Sequence, residues 1–310
     1  MGGAVQQIGV VAAAVAASFI PDVGPYAATG VLVAGGMLLG PDPETPSVLN
    51  LDPGSPSRGV LLNKASNNAP IPVVYGTRRV GGTRVFIEVT GSGNEYLHVV
   101  LALCEGEIQA VDTVYLDDVP TTDSRFSGLV DVYKHLGADG QVADSNLVSS
   151  AESWTNDHRL RGTAYVYLRL KWNSDAFGGL PTITCDVQGK KVFDPRDETV
   201  KFSSNPALCI RDYLVNARYG RGIPESMIDD DSFEAAANYC DEDVTVAGNV
   251  QDRYTCDGVV DIDKSSLEIV KKMLTSCRGA LIFSGGLYRL KIDKPESAAF
   301  TFDEDNIIGA

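Results

Sequence analysis

Histidine is scarce in this chain: His98, His135 and His158 are the only three in 310 residues, and they lie far apart. The six cysteines (Cys104, Cys185, Cys209, Cys240, Cys256 and Cys277) include no Cys-x-x-Cys pair. Structural zinc sites announce themselves by such close pairs, so no metal site and no cofactor is expected. The thiols read instead as reduced and mostly buried, in a protein made in a reducing cytoplasm. Basic residues are also few. Lys and Arg total 26 against 41 Asp and Glu, giving a net charge of −15 and a pI near 4.6. This balance excludes a grip on nucleic acid through phosphate neutralisation, but not a surface past which nucleic acid slides.

Chemical motifs are missing too. There is no G-x-S-x-G, no H-E-x-x-H and no Cys/His/Asn set. Gly91-Ser-Gly93 is not followed by the Lys-Ser/Thr pair of a phosphate loop, and reads as a turn. Asp229, Asp230 and Asp231 read as a helix N-terminus, where negative charge is favoured. Asp261 and Asp263 lack the glycine and terminal glutamate of a calcium loop. Arg218, Tyr219 and Arg221 read as a helix cap and packed loop. No catalytic residue is assigned.

What is present is a folded composition, 44% hydrophobic and 22% charged, in a chain long enough for two or three domains. Thirty-one glycines and 15 prolines supply many turns, favouring β-rich structure over a helical bundle. Residues 1–40 form an apolar Ala/Gly-rich segment. Its two runs, Ile8–Ile20 and Ala27–Leu39, are separated by Pro21, Asp22, Gly24 and Pro25. No Lys or Arg precedes them, so a secretory signal lacks its basic region. Each run is shorter than the about 20 residues of a membrane-crossing helix. The expectation is a helical hairpin buried against copies of itself, through Ile8, Val11, Val15, Phe19, Ile20, Val31, Leu32 and Leu38. A membrane-active or channel-plugging role is the alternative.

Residues 41–59 hold five prolines and read as an extended linker. Residues 60–198 read as a β-rich domain, with strands at Pro72–Val80, Gly82–Thr90, Tyr96–Cys104, Val111–Leu116, Gly162–Trp172, Ile183–Val187 and Lys190–Phe193. A weakly periodic insertion occupies about 121–162. In the clearest strand Ala164, Val166, Leu168 and Leu170 face one side, and Tyr165, Tyr167 and Arg169 the other. With Arg78, Arg79 and Arg84, the latter three are candidate subunit contacts. Residues 199–310 read as an α/β domain. One helix begins at Pro206, is capped by Asn205 and stops at Gly220. A second begins at Asp230 or Asp231, and a third at Ser265 with Glu268 three positions on, at capping-box spacing. A hairpin follows around Gly285-Gly286.

These last segments resemble a known family. Ile210-Arg-Asp-Tyr-Leu-Val-Asn-Ala-Arg-Tyr-Gly-Arg-Gly222, Ala236-Ala-Asn-Tyr-Cys-Asp241, Arg253-Tyr-Thr-Cys256, Cys277-Arg278, Gly286-Leu-Tyr-Arg-Leu and Phe300-Thr-Phe are similar, in order and spacing, to the tail-tip attachment protein J family of lambda-like phages. The stretch Leu101–Pro120, with its Glu105-Gly-Glu-Ile108 core, looks like that family's early strand–turn–strand unit. His158–Leu168, Gly179–Thr184 and Gly189–Arg196 resemble related tail proteins. The resemblance spans about 60–310.

It implies an α+β, β-rich fold of small β-barrel-like hub domains plus an α/β domain. It also implies a non-enzymatic central hub, a homotrimer closing the distal end of a siphophage tail tube and gating genome ejection. The implied partners are the tail tube, the distal tail protein, the tape measure protein and other tail-tip proteins, with the host envelope and receptor met indirectly. DNA would pass without specific binding, through a lumen partly lined by the excess carboxylates. The implied location is the virion's distal tail tip, after synthesis in the host cytoplasm. Receptor reading belongs to a C-terminal region of the family outside these residues. Residues 4–39 are not part of the lambda-type pattern. A tail-tip-associated hydrolase or membrane-active channel protein is the rival reading.

Overall fold

The computed structural model describes residues 61, 63–64 and 69–295. The first part of the chain runs β1 (Val73–Tyr75), β2 (Thr77–Val80), β3 (Thr83–Thr90), β4 (Tyr96–Glu105), β5 (Ile108–Leu116), β6 (Val119–Pro120), β7 (Val130–Leu136), α1 (Ser145–Ser150), β8 (Thr163–Lys171), β9 (Ile183–Asp194) and β10 (Thr199–Phe202). One antiparallel sheet has the order β3-β4-β8-β7. The other has the order β10-β9-β5-β6, with β2 also paired to β9. Leu97, Val99, Leu101, Val166, Leu168 and Leu170 from the first sheet meet Val80, Ile108, Val114, Leu116, Ile183 and Val187 from the second. The two sheets therefore form a sandwich over one dry core. The barrel-like expectation is corrected: among the described residues no strand pair closes either sheet. Both sheets stay open at their edges and bury their apolar faces against each other, so they stack.

β4 is buried along almost its whole length, which explains its unbroken apolar run. One of its faces fills the sandwich and the other lies under the insertion. The single strand expected at Pro72–Val80 is two. Gly76, at φ +62°, turns the chain so that β1 and β2 take different partners. A side chain there would meet the Cys256 carbonyl at 2.5 Å. The stretch Asp194–Asp197, next to the 198/199 boundary expected from the sequence, lies in the turn that returns β10 antiparallel to β9.

The second part runs α2 (Pro206–Val215), α3 (Asp230–Cys240), β11 (Asp243–Val246), β12 (Asn249–Asp252), β13 (Gly258–Val260), α4 (Ser266–Thr275), β14 (Gly279–Ser284) and β15 (Leu287–Ile292). Its core joins Leu208, Ile210 and Tyr213 of α2 to Phe233 and Ala237 of α3, Ile269 and Met273 of α4, and Leu290 of β15. Val73 and Tyr75 of β1 also belong to it, because β1 pairs with β13. The capping residues act as their spacing predicts. Asn205, Asp229 and Ser265 accept from the N–H groups of Ala207, Ser232 and Glu268. Helix α2 stops at Val215, short of Gly220. The returning loop supplies the missing donors, with Arg221 N–H on the Tyr213 carbonyl and Ile223 N–H on that of Leu214, both at 2.9 Å. The β11–β12 hairpin is mostly exposed, and its four-residue strands are too short for the alternation at Val244 and Val246 to stand out.

Asn205 does more than cap. Its Nδ2 donates to the Ala237 carbonyl at 2.9 Å and to Asp241 Oδ1, tying α2 to the end of α3. Asn205→Ala should lower stability by about 2 kcal/mol, since it removes a cap, leaves the buried Ala207 N–H without its partner and cuts the tie to Asp241. Urea denaturation followed by far-UV circular dichroism measures this.

Candidate functional site

The candidate contacts separate into a sealed face and an open one. Tyr165 and Tyr167 are fully buried, so their assignment to the subunit surface is corrected. The insertion lies across their side of β8 and anchors on it through Leu147, Ala151 and Trp154. Tyr165 stacks on His135, with ring centroids 4.2 Å apart. Tyr167 stacks between Tyr133 and His98, and its hydroxyl is hydrogen-bonded to His98 Nδ1 at 2.8 Å. Trp154 meets Phe86 edge-on and stacks on His158. The three scattered histidines thus share one aromatic layer. Of the insertion's anchors, Leu147 sits on the six-residue helix α1 and Ala151 and Trp154 follow it, too short a stretch to leave a periodic signal in the sequence.

Charge in this layer is controlled from both sides. His135 Nε2 lies 2.7 Å from Asp144 Oδ2, and Asp144 also accepts from Leu147 N–H at the start of α1. Burial pushes the Asp144 carboxyl up, but these hydrogen bonds outweigh it and hold the group below its ordinary value. Burial takes His98 down to about 4. The native ring is therefore neutral where an unfolded histidine begins to take a proton. His98's contribution to stability is complete above about pH 6.5 and is lost as pH falls toward about 4. Chemical denaturation between pH 8 and pH 4.5 should show this slope, and His98→Gln should flatten it.

The outer face of the second sheet is open and polar. Arg79 donates to Thr184 Oγ1 at 2.8 Å and to Asp118 at 2.7 Å, and lies 3.8 Å over the Tyr115 ring. Tyr115 donates to Asp186 at 2.7 Å, and Gln188 donates to both Asp112 oxygens. Arg79 is thus engaged within its own sheet. Arg78 is exposed and forms no ion pair among the described residues. Arg84 is half-buried, burial lowers its pKa, and no carboxylate among the described residues offsets this. Arg169 holds Asp131 through two nitrogens, at 2.9 and 2.7 Å.

A third cluster joins the sandwich to the helices. The hydroxyls of Tyr75 and Tyr219 both donate to Asp212 Oδ2 at 2.6 Å. Arg211 pairs with Asp230 through two nitrogens and lies over Phe193. Arg218 reaches Glu105 at 2.6 Å. Tyr219 is buried, so the cap-and-pack reading of this loop holds. Sequence reasoning missed Asp212 and Glu105, whose partners Tyr75 and Arg218 lie more than 100 residues away. Asp261 accepts from Asp263 N–H within a turn.

Among the described residues no group of three or more His, Cys, Asp or Glu side chains is placed to hold a metal ion. No described helix is long and apolar enough to cross a membrane. Ile8, Val11, Val15, Phe19, Ile20, Val31, Leu32 and Leu38 lie outside the described residues. What the geometry offers is a surface for ion pairs and hydrogen bonds, carried on a rigid two-sheet frame.

No family model matches the chain. Two curated proteins are similar to it in sequence. The tip attachment protein J of Escherichia phage SECphi27 is 26% identical over 243 residues, covering 72% of this chain and 20% of that protein. The baseplate hub protein pb3 of Escherichia phage T5 is 23% identical over 303 residues, covering 72% of this chain and 32% of that protein. Among solved structures, a chain of the virion of a native gene transfer agent particle overlays with a TM-score of 0.46 at 21% identity, covering 88% of this chain and 65% of that one. The chain is thus a relative of phage tail-tip and hub proteins, and its match spans a third or less of the two curated relatives.

Proposed function

We propose that this chain is a structural hub of a phage tail tip, in which three copies close the distal end of the tube and gate genome passage. The observation that carries the reading is the similarity to a tip attachment protein and a baseplate hub protein over 72% of the chain. The surfaces support it. The apolar faces of both sheets are sealed within the chain, leaving polar and charged faces for neighbours. Arg78, Arg84 and the Arg169–Asp131 pair are proposed as contacts to adjacent subunits, since Arg78 and Arg84 carry charge without an ion pair among the described residues. The net charge of −15 suits a lumen that repels DNA phosphates. The tail tube, distal tail protein and tape measure protein are the proposed partners. Residues 4–39 are proposed to gather at the threefold axis.

Electron cryomicroscopy of the virion tip tests this. The expected result is three copies around the tube axis, with carboxylates toward the lumen. A single copy on the tip's periphery, or a lumen of net positive potential, overturns it.

A further inference from the structure

Four of the six cysteines meet in two pairs within the helical core. Cys209 of α2 is in thiol–thiol contact with Cys256, and Cys240 of α3 with Cys277. The first pair is fixed by the backbone as well. Cys209 Sγ lies 3.7 Å from the Ser203 carbonyl, while Cys256 N–H donates to the next carbonyl, Ser204, at 2.6 Å. The Cys209 sulfur and the Cys256 backbone are therefore held against adjacent carbonyls just before α2.

The pairs differ in access. Cys256 lines a cavity of about 290 Å³ between β13 and α4, together with Tyr75, Ile269, Met273 and Ser276. That space admits a molecule the size of water or peroxide. Cys256 is 8% exposed, whereas Cys240 and Cys277 are fully buried, and Cys104 and Cys185 are sealed inside the sandwich.

The two thiols of the first pair also differ in character. The hydrogen bond from Cys209, helped by Ser276, outweighs burial and holds the Cys256 thiol below its ordinary range. The same hydrogen bond, with burial, pushes Cys209 well up, so Cys209 keeps its proton. A thiol of lowered pKa facing the cavity, with a fully buried thiol behind it, is the arrangement of an attacking sulfur with its resolving partner.

We propose that Cys256 and Cys209 form an oxidisable dithiol site, at which hydrogen peroxide entering the β13–α4 cavity converts the pair to a disulfide. The Cys256 sulfur attacks one peroxide oxygen, forming an S–O bond as the O–O bond breaks and hydroxide leaves. That hydroxide takes the Cys209 proton and becomes water. The Cys209 thiolate then attacks the Cys256 sulfenic sulfur, forming the S–S bond and expelling a second hydroxide. The proton lost earlier from Cys256 completes the second water. Two electrons pass from the sulfurs to peroxide, and two thiols plus one peroxide give one disulfide plus two waters. The product covalently ties α2 to the segment leading into β13.

The test uses the full chain, purified reduced and treated with equimolar hydrogen peroxide. It is then alkylated and mapped by mass spectrometry. The expected product is a Cys209–Cys256 link, formed about tenfold or more faster than any change at Cys104, Cys185, Cys240 or Cys277. Unfolding in urea beforehand should abolish that preference. Cys209→Ser should accumulate a sulfenic acid at Cys256 that dimedone traps, and Cys256→Ser should leave Cys209 a thiol. Unchanged Cys256 in the folded wild-type chain overturns the proposal. So does oxidation spread evenly over the six cysteines. Neither result depends on a variant folding.

Discussion

Replacing Arg196 by alanine should lower the free energy of unfolding by about 3 kcal/mol. The Asp194 side chain is 1% exposed, and Arg196 grips it through Nε at 2.8 Å and Nη2 at 2.7 Å. The same guanidinium reaches Asp241 at 2.8 Å and Asn238 at 3.2 Å, at the end of α3. One side chain thus clasps the β9–β10 turn of the sandwich to the helices. Its removal leaves a buried carboxylate with only Lys201, 3.2 Å away, and the backbone N–H of residue 196, at 3.1 Å, and unties the two parts. Arg196→Lys should recover only part of the loss, because an ammonium cannot reproduce the planar fork.

The pH dependence follows from the same contacts. Burial alone would raise the Asp194 carboxyl, but the hydrogen bonds from Arg196 and Lys201 bring it to about 2, against an ordinary 3.8. A depressed carboxyl contributes stability that is complete above about pH 4 and lost as pH falls toward 2. Urea titrations at pH 7 and pH 3 should therefore converge for wild type and Arg196→Ala on the acid side. An equal difference at both values would disprove the role given to Asp194.

Gly189→Ala should cost about 3 kcal/mol, near the top of the range for overpacking, because the obstruction is backbone. A β-carbon at Gly189 would lie 2.3 Å from the Val74 carbonyl oxygen and 2.9 Å from that of Gly76. Gly189 N–H donates to the Gly76 carbonyl at 2.7 Å, so β9 touches the chain between β1 and β2 at this point. β1 belongs to the helical core and β2 to the second sheet, so forcing these backbones apart opens both. Thermal denaturation of the variant should show a marked loss of Tm. A change of less than a degree would mean that the strands separate without cost.

Much of the local structure was legible because it rests on short-range chemistry. Asn205 before Pro206, Asp229 before an acidic first turn, and Ser265 three residues before Glu268 each place a helix start correctly. The alternation from Ala164 to Leu170 places β8 and its core face. The similarity to phage hub proteins was likewise readable, from segments of fixed order and spacing. The surface was less legible. An alternating strand shows that Tyr165 and Tyr167 face away from the sandwich core, but not whether water or another segment meets them there. Trp154 and Leu147, each alone on its turn of chain, carry no such signal.

The sequence by itself determined the helix starts, the strand faces, the acidic charge and the kinship to tail hubs, since each depends on neighbours a few residues apart or on composition. Only the tertiary structure decided that β1 joins the helical core through β13, that Asp212 gathers two tyrosines, that Arg196 binds Asp194 and Asp241 together, and that Cys209 meets Cys256 beside a cavity. Apart from Arg196 with Asp194 and Tyr219 with Asp212, those contacts join residues about 45 or more positions apart. The path of the whole chain sets such distances, and no local pattern encodes them.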